Sequence, residues 1–229
     1  MTRNKALIII FSLIILTSKA FAHVSHYSSL NKLEFDIYRN NKHIGTHIFN
    51  FKKSNDDLIV ESEVKFQIKK LGLVLYKYRA VGTEFYNKGK FIKYTGKTNQ
   101  NGKDKYANIT TETNDGMLLI DGSSYKGKAP TNFLVGTWWN HEITQAKAQI
   151  SAISGRIIEQ KVVFLGKETI NLNGKNYKTL HFNFSSTDKK LDKDKKLNTD
   201  IWYDEETLNW VKASFDKKGK WEYRLKSVR

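Results

Sequence analysis

The chain has 229 residues, a formal net charge of +16 and no cysteine. Without cysteine it forms no disulfide and carries no lipobox, which excludes a disulfide scaffold and a lipoprotein. Only six of its 39 basic residues are arginine. Because arginine is the residue that contacts phosphates and bases bidentately, this balance argues against nucleic acid as a partner.

The first 22 residues have the features of a cleavable secretory signal. A basic start, Met1–Lys5, precedes an apolar run, Ala6–Leu16, and Ala20-Phe21-Ala22 places small residues where signal peptidase requires them. The apolar run is shorter than the about 20 residues that a membrane span needs. We therefore predict cleavage after Ala22 and a periplasmic or secreted bacterial protein that begins at residue 23.

Beyond the signal, the chain has the pattern of an all-β protein. A polar lead, residues 23–31, precedes segments that alternate between apolar and polar side chains, as half-buried strands do. Leu58–Lys69 is the clearest of these segments. Asn101-Gly102, Asp121-Gly122 and Asn173-Gly174 predict hairpin turns, since these residues tolerate the positive φ that such turns require. Strands and turns at this spacing predict a mainly antiparallel sandwich or barrel.

The last predicted strands form an antiparallel meander over Thr199–Leu225. In the final strand, Trp221, Tyr223 and Leu225 alternate with charged side chains, so one face is aromatic and the other is wet. The aromatic face requires cover, which the upstream strands can supply. We find neither an internal repeat nor a linker, and we predict a single domain over residues 23–229.

Thr131–Gln145, directly after the chain's single proline, has no period-two order. We predict an irregular loop with one or two helical turns there. It contains Trp138, Trp139 and Asn140, while Trp202 lies in the closing meander. Aromatic faces beside an amide can stack on sugar rings or close over an acyl chain. The same tryptophans can instead plug one end of a barrel as part of its core.

The polar residues near these tryptophans do not form a known catalytic motif. His141 and Glu142 are adjacent, but no serine-nucleophile, zinc-protease or phosphate-loop pattern accompanies them. Asp188, Asp192 and Asp194 lack the glycine and the bidentate glutamate of a calcium loop. We therefore predict no catalytic residue, no metal site and no cofactor. The candidate ligand-binding residues are Trp138, Trp139, Asn140, His141 and Trp202.

Ile201-Trp202-Tyr203-Asp204, followed by a hairpin and an alternating last strand, resembles a group of uncharacterised secreted bacterial β-rich proteins. In that group, a Trp-Asn element like Trp139-Asn140 lies in the middle of the chain. The resemblance spans about Leu33 to Val228 and implies no particular activity. It implies a long antiparallel sheet curled into a half-closed barrel. That architecture is loosely similar to the lipoprotein carriers LolA and LolB, which hold acyl chains in the hollow of the sheet.

The sequence leaves three functions open. The first is a periplasmic binding or carrier protein whose ligand is apolar or derived from the envelope, such as a lipid or a glycan. The second is an enzyme that acts on cell-envelope glycan or lipid. The third is a basic protein that rests on an anionic envelope surface without catalysis. No residue pattern names the ligand or the oligomeric state.

Overall fold

The computed structural model describes residues 27, 29–112, 115–192 and 195–229. The predicted signal peptide and its cleavage site after Ala22 lie outside the described residues, and so does Asp194 in the lysine-rich loop. Among the residues described, no helix has the length and apolar character that crossing a membrane requires.

The prediction of an all-β fold is confirmed. Within the described residues, fifteen strands form one sheet, and a short 3-10 helix, His141–Thr144, lies in the predicted irregular segment. The strands are β1 (Lys32–Arg39), β2 (Lys42–Ser54), β3 (Asp57–Lys70), β4 (Leu73–Asn87), β5 (Lys90–Gln100), β6 (Lys103–Thr111), β7 (Met117–Gly122), β8 (Lys126–Pro130), β9 (Leu134–Val135), β10 (Ala148–Ile150), β11 (Ile157–Leu172), β12 (Lys175–Ser186), β13 (Asn198–Asp204), β14 (Trp210–Asp216) and β15 (Lys220–Val228).

The sheet consists of two meanders that meet at the first and last strands. From β1 to β8, and again from β10 to β15, each strand pairs antiparallel with the next one in the chain. β1 pairs antiparallel with β15, which joins the two meanders in the middle of the sheet. β9 pairs with β10 in parallel. The predicted long, mainly antiparallel sheet is therefore confirmed.

Period-two burial directs one face of the sheet inward. In β1, Leu33, Phe35 and Ile37 are each 0% exposed, and they alternate with partly exposed polar side chains. The core also contains Tyr27 and Leu30 from the predicted polar lead, both of which are buried. This part of the lead is therefore packed structure, because its two apolar side chains cover one end of the inner face.

The hairpin turns follow the predicted chemistry at most positions. Asn101-Gly102 and Asn173-Gly174 adopt positive φ at both residues, as two-residue hairpin turns require. Asp121-Gly122 differs from the prediction, because both residues belong to β7 and the turn follows them. β11 is one long strand whose register with β12 shifts at a bulge beside Gly166.

The sheet curls until its two edges approach each other. β8 and β9 occupy the edges, and residues 131–133 connect them directly. At one end, the Ser124 N–H donates to the Ser154 carbonyl at 2.9 Å, and Gly122 lies against Gly155. Added side chains would block this approach, since a Cβ on Gly155 would stand 3.0 Å from the Gly122 Cα. We call this contact the seam.

Candidate functional site

The segment between β9 and β10 sends two adjacent tryptophans to different places. Trp138 adopts a φ of 65°, a left-handed conformation that is uncommon for a large side chain. Trp139 is 0% exposed and packs edge-on against Tyr27, Phe51 and Tyr86, with ring centroids 5.1 to 5.8 Å away. Trp139 is therefore part of the core, whereas Trp138 is only partly buried.

A buried carboxylate fixes the position of Trp139. Glu84 in β4 accepts hydrogen bonds from Trp139 Nε1 at 2.7 Å, from Thr137 Oγ1 at 2.7 Å and from Tyr86 Oη at 2.6 Å. Burial raises the pKa of Glu84, and the three hydrogen bonds oppose that effect. Trp139 and Thr137 belong to the irregular segment and Glu84 to β4, so these bonds attach the segment to the sheet.

Asn140 and His141 hold the start of the 3-10 helix. Asn140 Oδ1 accepts from the Glu142 N–H at 3.0 Å, which is the geometry of a helix cap. The His141 N–H donates to Tyr27 Oη at 3.0 Å, and His141 Nδ1 also lies 3.0 Å from the same oxygen. Burial raises the pKa of Tyr27, so its hydroxyl stays protonated.

Trp138 lines a cavity of about 230 Å³ on the inner side of the sheet. Its indole Nε1 donates to Gln149 Oε1 at 3.1 Å, and its backbone carbonyl accepts from Tyr203 Oη at 2.9 Å. Gln149 in turn donates to Gln160 Oε1 at 2.5 Å. Trp138 is thus held at the cavity wall by two strands, because Gln149 in β10 bonds to its indole ring and Tyr203 in β13 bonds to its backbone.

The cavity wall is mostly aromatic or aliphatic, with a few polar groups. The apolar part comes from β3, β4, β5, β15 and the loop after β10, and includes Val64, Tyr78, Ala80, Tyr94, Ala152 and Tyr223. The polar side chains include Ser62, Gln149 and His47. An apolar wall with a small number of placed polar groups is the usual composition of a small-molecule site.

His47 is the polar group whose environment is most unusual. It is 7% exposed, and its Nδ1 has no hydrogen-bond partner in the described part of the chain. Its ring lies between Phe49 at 4.2 Å and Trp210 and Tyr223 at 5.7 and 5.8 Å. Burial lowers the pKa of His47 to about 3, so the imidazole is neutral at physiological pH. His47 thus contributes a neutral imidazole to the cavity wall, and its buried Nδ1 lacks a partner.

Trp202 lies on the other face of the sheet from this cavity. Its neighbour Tyr203 points inward to Trp138, so period-two alternation turns Trp202 outward. There Trp202 stacks on His181 at 4.1 Å and donates from Nε1 to Glu168 Oε1 at 2.6 Å. Lys212 Nζ covers the ring at 4.6 Å. The structure therefore places Trp138 at the cavity and Trp139, Asn140 and His141 behind it, and it separates Trp202 from all four.

The cavity is lined by residues that were not predicted from the sequence. His47, Gln149 and Tyr223 lie on three different strands or loops, and no short motif unites them. One signal was present for His47, because it occupies an inward position of β2 together with Phe49 and Phe51. A histidine on an otherwise aromatic inner face is a polar group at a core position. Within the described ranges, no cluster of three histidine or acidic side chains forms a metal site.

Several solved structures are similar to this chain. A β-barrel-like protein of the domain of unknown function DUF1849 from Brucella abortus is 12% identical, with a TM-score of 0.61 over 87% of this chain and 98% of that one. A presumed exported protein with a YmcC-like fold from Bacteroides fragilis covers 86% of this chain and 94% of its own, at 10% identity and a TM-score of 0.34. A DUF1329 family protein from Desulfovibrio piger covers 91% and 90%, at 12% identity and a TM-score of 0.26. The first likeness shows a shared fold.

In sequence, residues 35–226 match the family model described as domain of unknown function DUF6134. Among curated proteins, none matches the chain.

Proposed function

The chain belongs to the DUF6134 family, and we propose that it binds a small apolar or amphipathic molecule in the cavity inside its curled sheet. The observation that carries this proposal is the cavity itself, whose wall is mostly aromatic or aliphatic and includes a few polar side chains, His47 among them. The buried Nδ1 of His47 has no hydrogen-bond partner in the described residues, which costs about 1–3 kcal/mol. A ligand whose polar group the imidazole turns to meet recovers that free energy on binding.

The cavity sets the size and charge of the ligand. Its volume of about 230 Å³ exceeds the roughly 150 Å³ cavity that accommodates benzene in a protein core. A substituted ring or a short stretch of acyl chain has a suitable volume. The group that meets His47 is uncharged, because an ionised group there would be buried beside a neutral imidazole without a counter-ion. A hydroxyl, an amide or an ester meets both conditions.

The proposal includes a location. The leader predicted in residues 1–22 supports export, cleavage after Ala22 and one mature domain over residues 23–229. A ligand that such a protein meets is a lipid or a glycan-linked lipid of the cell envelope. Trp138 forms the wall of the cavity, while Trp139, Asn140 and His141 support it from behind through Glu84 and Tyr27.

Binding of N-phenylnaphthylamine, a small apolar dye, tests the site with a matched pair of variants. Ala80→Leu fills the cavity from β4. Thr83→Leu adds the same side chain on the opposite face of the same strand, because positions 80 and 83 differ in parity. We expect Ala80→Leu to weaken dye binding at least about tenfold, the effect of excluding roughly 1.4 kcal/mol of apolar contact. Thr83→Leu is expected to bind as the parent does.

Two further results decide between the three functions. Native mass spectrometry of protein exported by its own cell is expected to show a bound envelope molecule that His47→Leu loses while the fold stays intact. Equal dye binding by Ala80→Leu and Thr83→Leu, with no co-purified molecule, would contradict the cavity proposal. Turnover of peptidoglycan or lipid would assign the envelope enzyme instead, and a bare protein that only binds anionic vesicles would assign the envelope-surface protein.

A further inference from the structure

The hairpin between β3 and β4 separates from its neighbouring strands near its turn. β2 pairs with β3 as far as Phe66, and β5 pairs with β4 as far as Tyr78. Beyond those points, residues 67–70 pair with residues 73–77, and of these Lys77 also accepts a hydrogen bond at its carbonyl from the Asn101 N–H at 2.8 Å. This projection, residues 67–77, is called the hairpin tip below. It stands beside the cavity, because Tyr78 at its base also lines the cavity wall.

The hairpin tip carries the most exposed apolar side chains of the described chain. Leu71 is 94% exposed, Leu73 is 70% exposed, and Val74 and Leu75 are about half exposed. Val74 and Leu75 lie at a bulge of β4, where the register with β3 shifts. Together with the two leucines at the turn, they give the projection a mostly apolar end.

The turn at the hairpin tip departs from the turn chemistry used elsewhere in the chain. Leu71 has a φ of 49° and Gly72 a φ of 81°, so both central residues are left-handed. Hairpins of the same kind place a polar residue at the first position, asparagine in Asn101-Gly102 and Asn173-Gly174 and lysine in Lys88-Gly89. Asparagine tolerates this conformation. Leucine is unfavourable at this position for two reasons, because its side chain disfavours the left-handed backbone and because its apolar surface is exposed to water. Such a residue indicates a function outside the folding of the hairpin.

The charged side chains of the hairpin tip itself are all basic, and the nearest carboxylate in sequence, Glu63, is paired with Arg79 at 3.0 Å. From Val64 to Thr83 the sequence contains five basic residues and no acidic one. A groove of about 700 Å³ at the base of the tip is lined by six cationic side chains and, within the described residues, by no carboxylate. The six are Arg39, Lys42, Lys65, Lys69, Lys77 and Arg79. The turns at residues 40–41, 101–102 and 217–219 lie at the same end of the sheet, as the strand directions require.

We propose that the hairpin tip inserts its leucines into the interfacial region of an anionic lipid bilayer, with the surrounding lysines on the lipid headgroups. Apolar side chains gain free energy at the acyl boundary, and each lysine near an anionic surface gains about 1 kcal/mol. The inference does not depend on the proposed cavity ligand. Insertion of the hairpin tip would also place the cavity next to the membrane surface.

The absence of cysteine allows a single probe to report insertion. Val74→Cys carries an environment-sensitive dye on the hairpin tip and leaves the leucines in place. Asn101→Cys carries the same dye on the turn of the neighbouring hairpin at the same end of the sheet. With vesicles of phosphatidylcholine and phosphatidylglycerol, we expect the Val74→Cys probe to shift to the blue and to be quenched by brominated acyl chains. The Asn101→Cys probe is expected to stay in water.

Sedimentation with the same vesicles measures the strength of binding. Leu71→Asn installs the usual turn residue, and we expect it to weaken binding about tenfold or more without loss of folding stability. Neutralising Lys69 and Lys70 to glutamine is expected to weaken binding about fivefold for each lysine. Leu165→Ser removes an exposed leucine of β11, 53% exposed, and serves as the control that keeps the binding of the parent.

Three outcomes would overturn the insertion model. The first is unchanged vesicle binding by Leu71→Asn. The second is a Val74→Cys probe that remains in water while the protein is bound. The third is binding to phosphatidylcholine vesicles as tight as to anionic ones. Ala80→Leu, which fills the cavity, is expected to bind vesicles normally, so failure of the cavity proposal and failure of this one are distinguishable.

Discussion

At the scale of single residues, Glu84 is the side chain on which the arrangement of the inner face depends most. It is 3% exposed and accepts from Trp139, Thr137 and Tyr86. These three donors come from the irregular segment and from the sheet. Removing the acceptor leaves the donors of Trp139 and Thr137 buried without it, at about 1–3 kcal/mol for each, whereas Tyr86 also bonds to Asn140. Glu84→Ala is therefore expected to lower the free energy of unfolding far more than an alanine substitution of a solvent-exposed glutamate would.

Glu84→Gln is expected to change the pH dependence of stability. Burial raises the pKa of Glu84, so above its ordinary value of 4.5 the folded state retains a proton that the unfolded chain releases. Stability from this group is complete below that value and falls as the pH rises toward the raised folded pKa. Glutamine does not titrate, so the stability of Glu84→Gln relative to the parent should increase over this interval.

Urea titrations of parent and variant between about pH 5 and pH 8 measure that difference. His47 adds an opposite slope, because its pKa is lowered to about 3 and its contribution is lost as the pH falls below 6.5. That slope is common to both proteins and cancels in the difference. Glu63→Gln on the outer face of β3 serves as the control. Parallel pH profiles for parent and Glu84→Gln would show that the buried carboxylate does not titrate in this range.

At the scale of elements, alternation in the sequence predicted most strands but not the faces of the tryptophans. Leu58–Lys69 and the last strand follow period two, and both are strands. Ile201, Trp202 and Tyr203 are all apolar or aromatic and all buried, so no alternation between apolar and polar residues shows which of them faces inward. Trp202 is covered by His181 and Lys212 from neighbouring strands, a contact that only the pairing of β12, β13 and β14 creates. The outward position of Trp202 was therefore not predictable from its own segment.

For the irregular segment, the sequence predicted the position along the chain but not the placement of its two tryptophans. Its position was predictable, because period-two order stops at Pro130 and the 3-10 helix lies within residues 131–145. The separation of Trp138 from Trp139 was not, since it depends on the left-handed φ of Trp138 and on Glu84, more than fifty residues earlier in the chain. The cavity itself depends on the curl of the sheet, which brings β2, β4 and β15 to one space.

Alanine substitutions of the two tryptophans should separate core from cavity. Trp139→Ala removes a fully buried indole and is expected to cost about 3–5 kcal/mol of unfolding free energy. Trp138→Ala loses one hydrogen bond and partial packing, and should cost less than about 2 kcal/mol while it weakens dye binding. Urea titration and dye binding on each variant provide both readouts. Equal and large losses of stability would place Trp138 in the core as well.

At the scale of the whole molecule, the seam is where the curled sheet depends on small residues. Gly122 in β7 faces Ser154 and Gly155, which lie in the turn between β10 and β11. A side chain at Gly122 would overlap the Ser154 carbonyl oxygen, so the two ends of the sheet would have to separate. Along the rest of the sheet, paired strands maintain the curvature. At the seam, close backbone contact takes their place.

Gly122→Val is expected to open the seam locally. The overlap should cost about 1–3 kcal/mol of stability, as overpacking does in a core. Amide exchange should accelerate in β9 and β10, which are held by few strand partners, and remain slow in β1 and β15. Leu119→Val adds a β-branched residue at an exposed position of the same strand and provides the control. Unchanged exchange in β9 and β10 would show that the seam does not hold the edges together.

The pairing of β1 with β15 also determines when the molecule can finish folding. Each meander forms from hairpins that are local in sequence, but the bond between the meanders joins strands separated by nearly the whole described chain. Closure of so long a loop is entropically costly and makes folding slow. Until β15 has been synthesised, one edge of β1 remains without its partner and is a template for pairing with other chains. Charged Lys32, Glu34 and Asp36 on the outer face of β1 oppose such pairing during that interval.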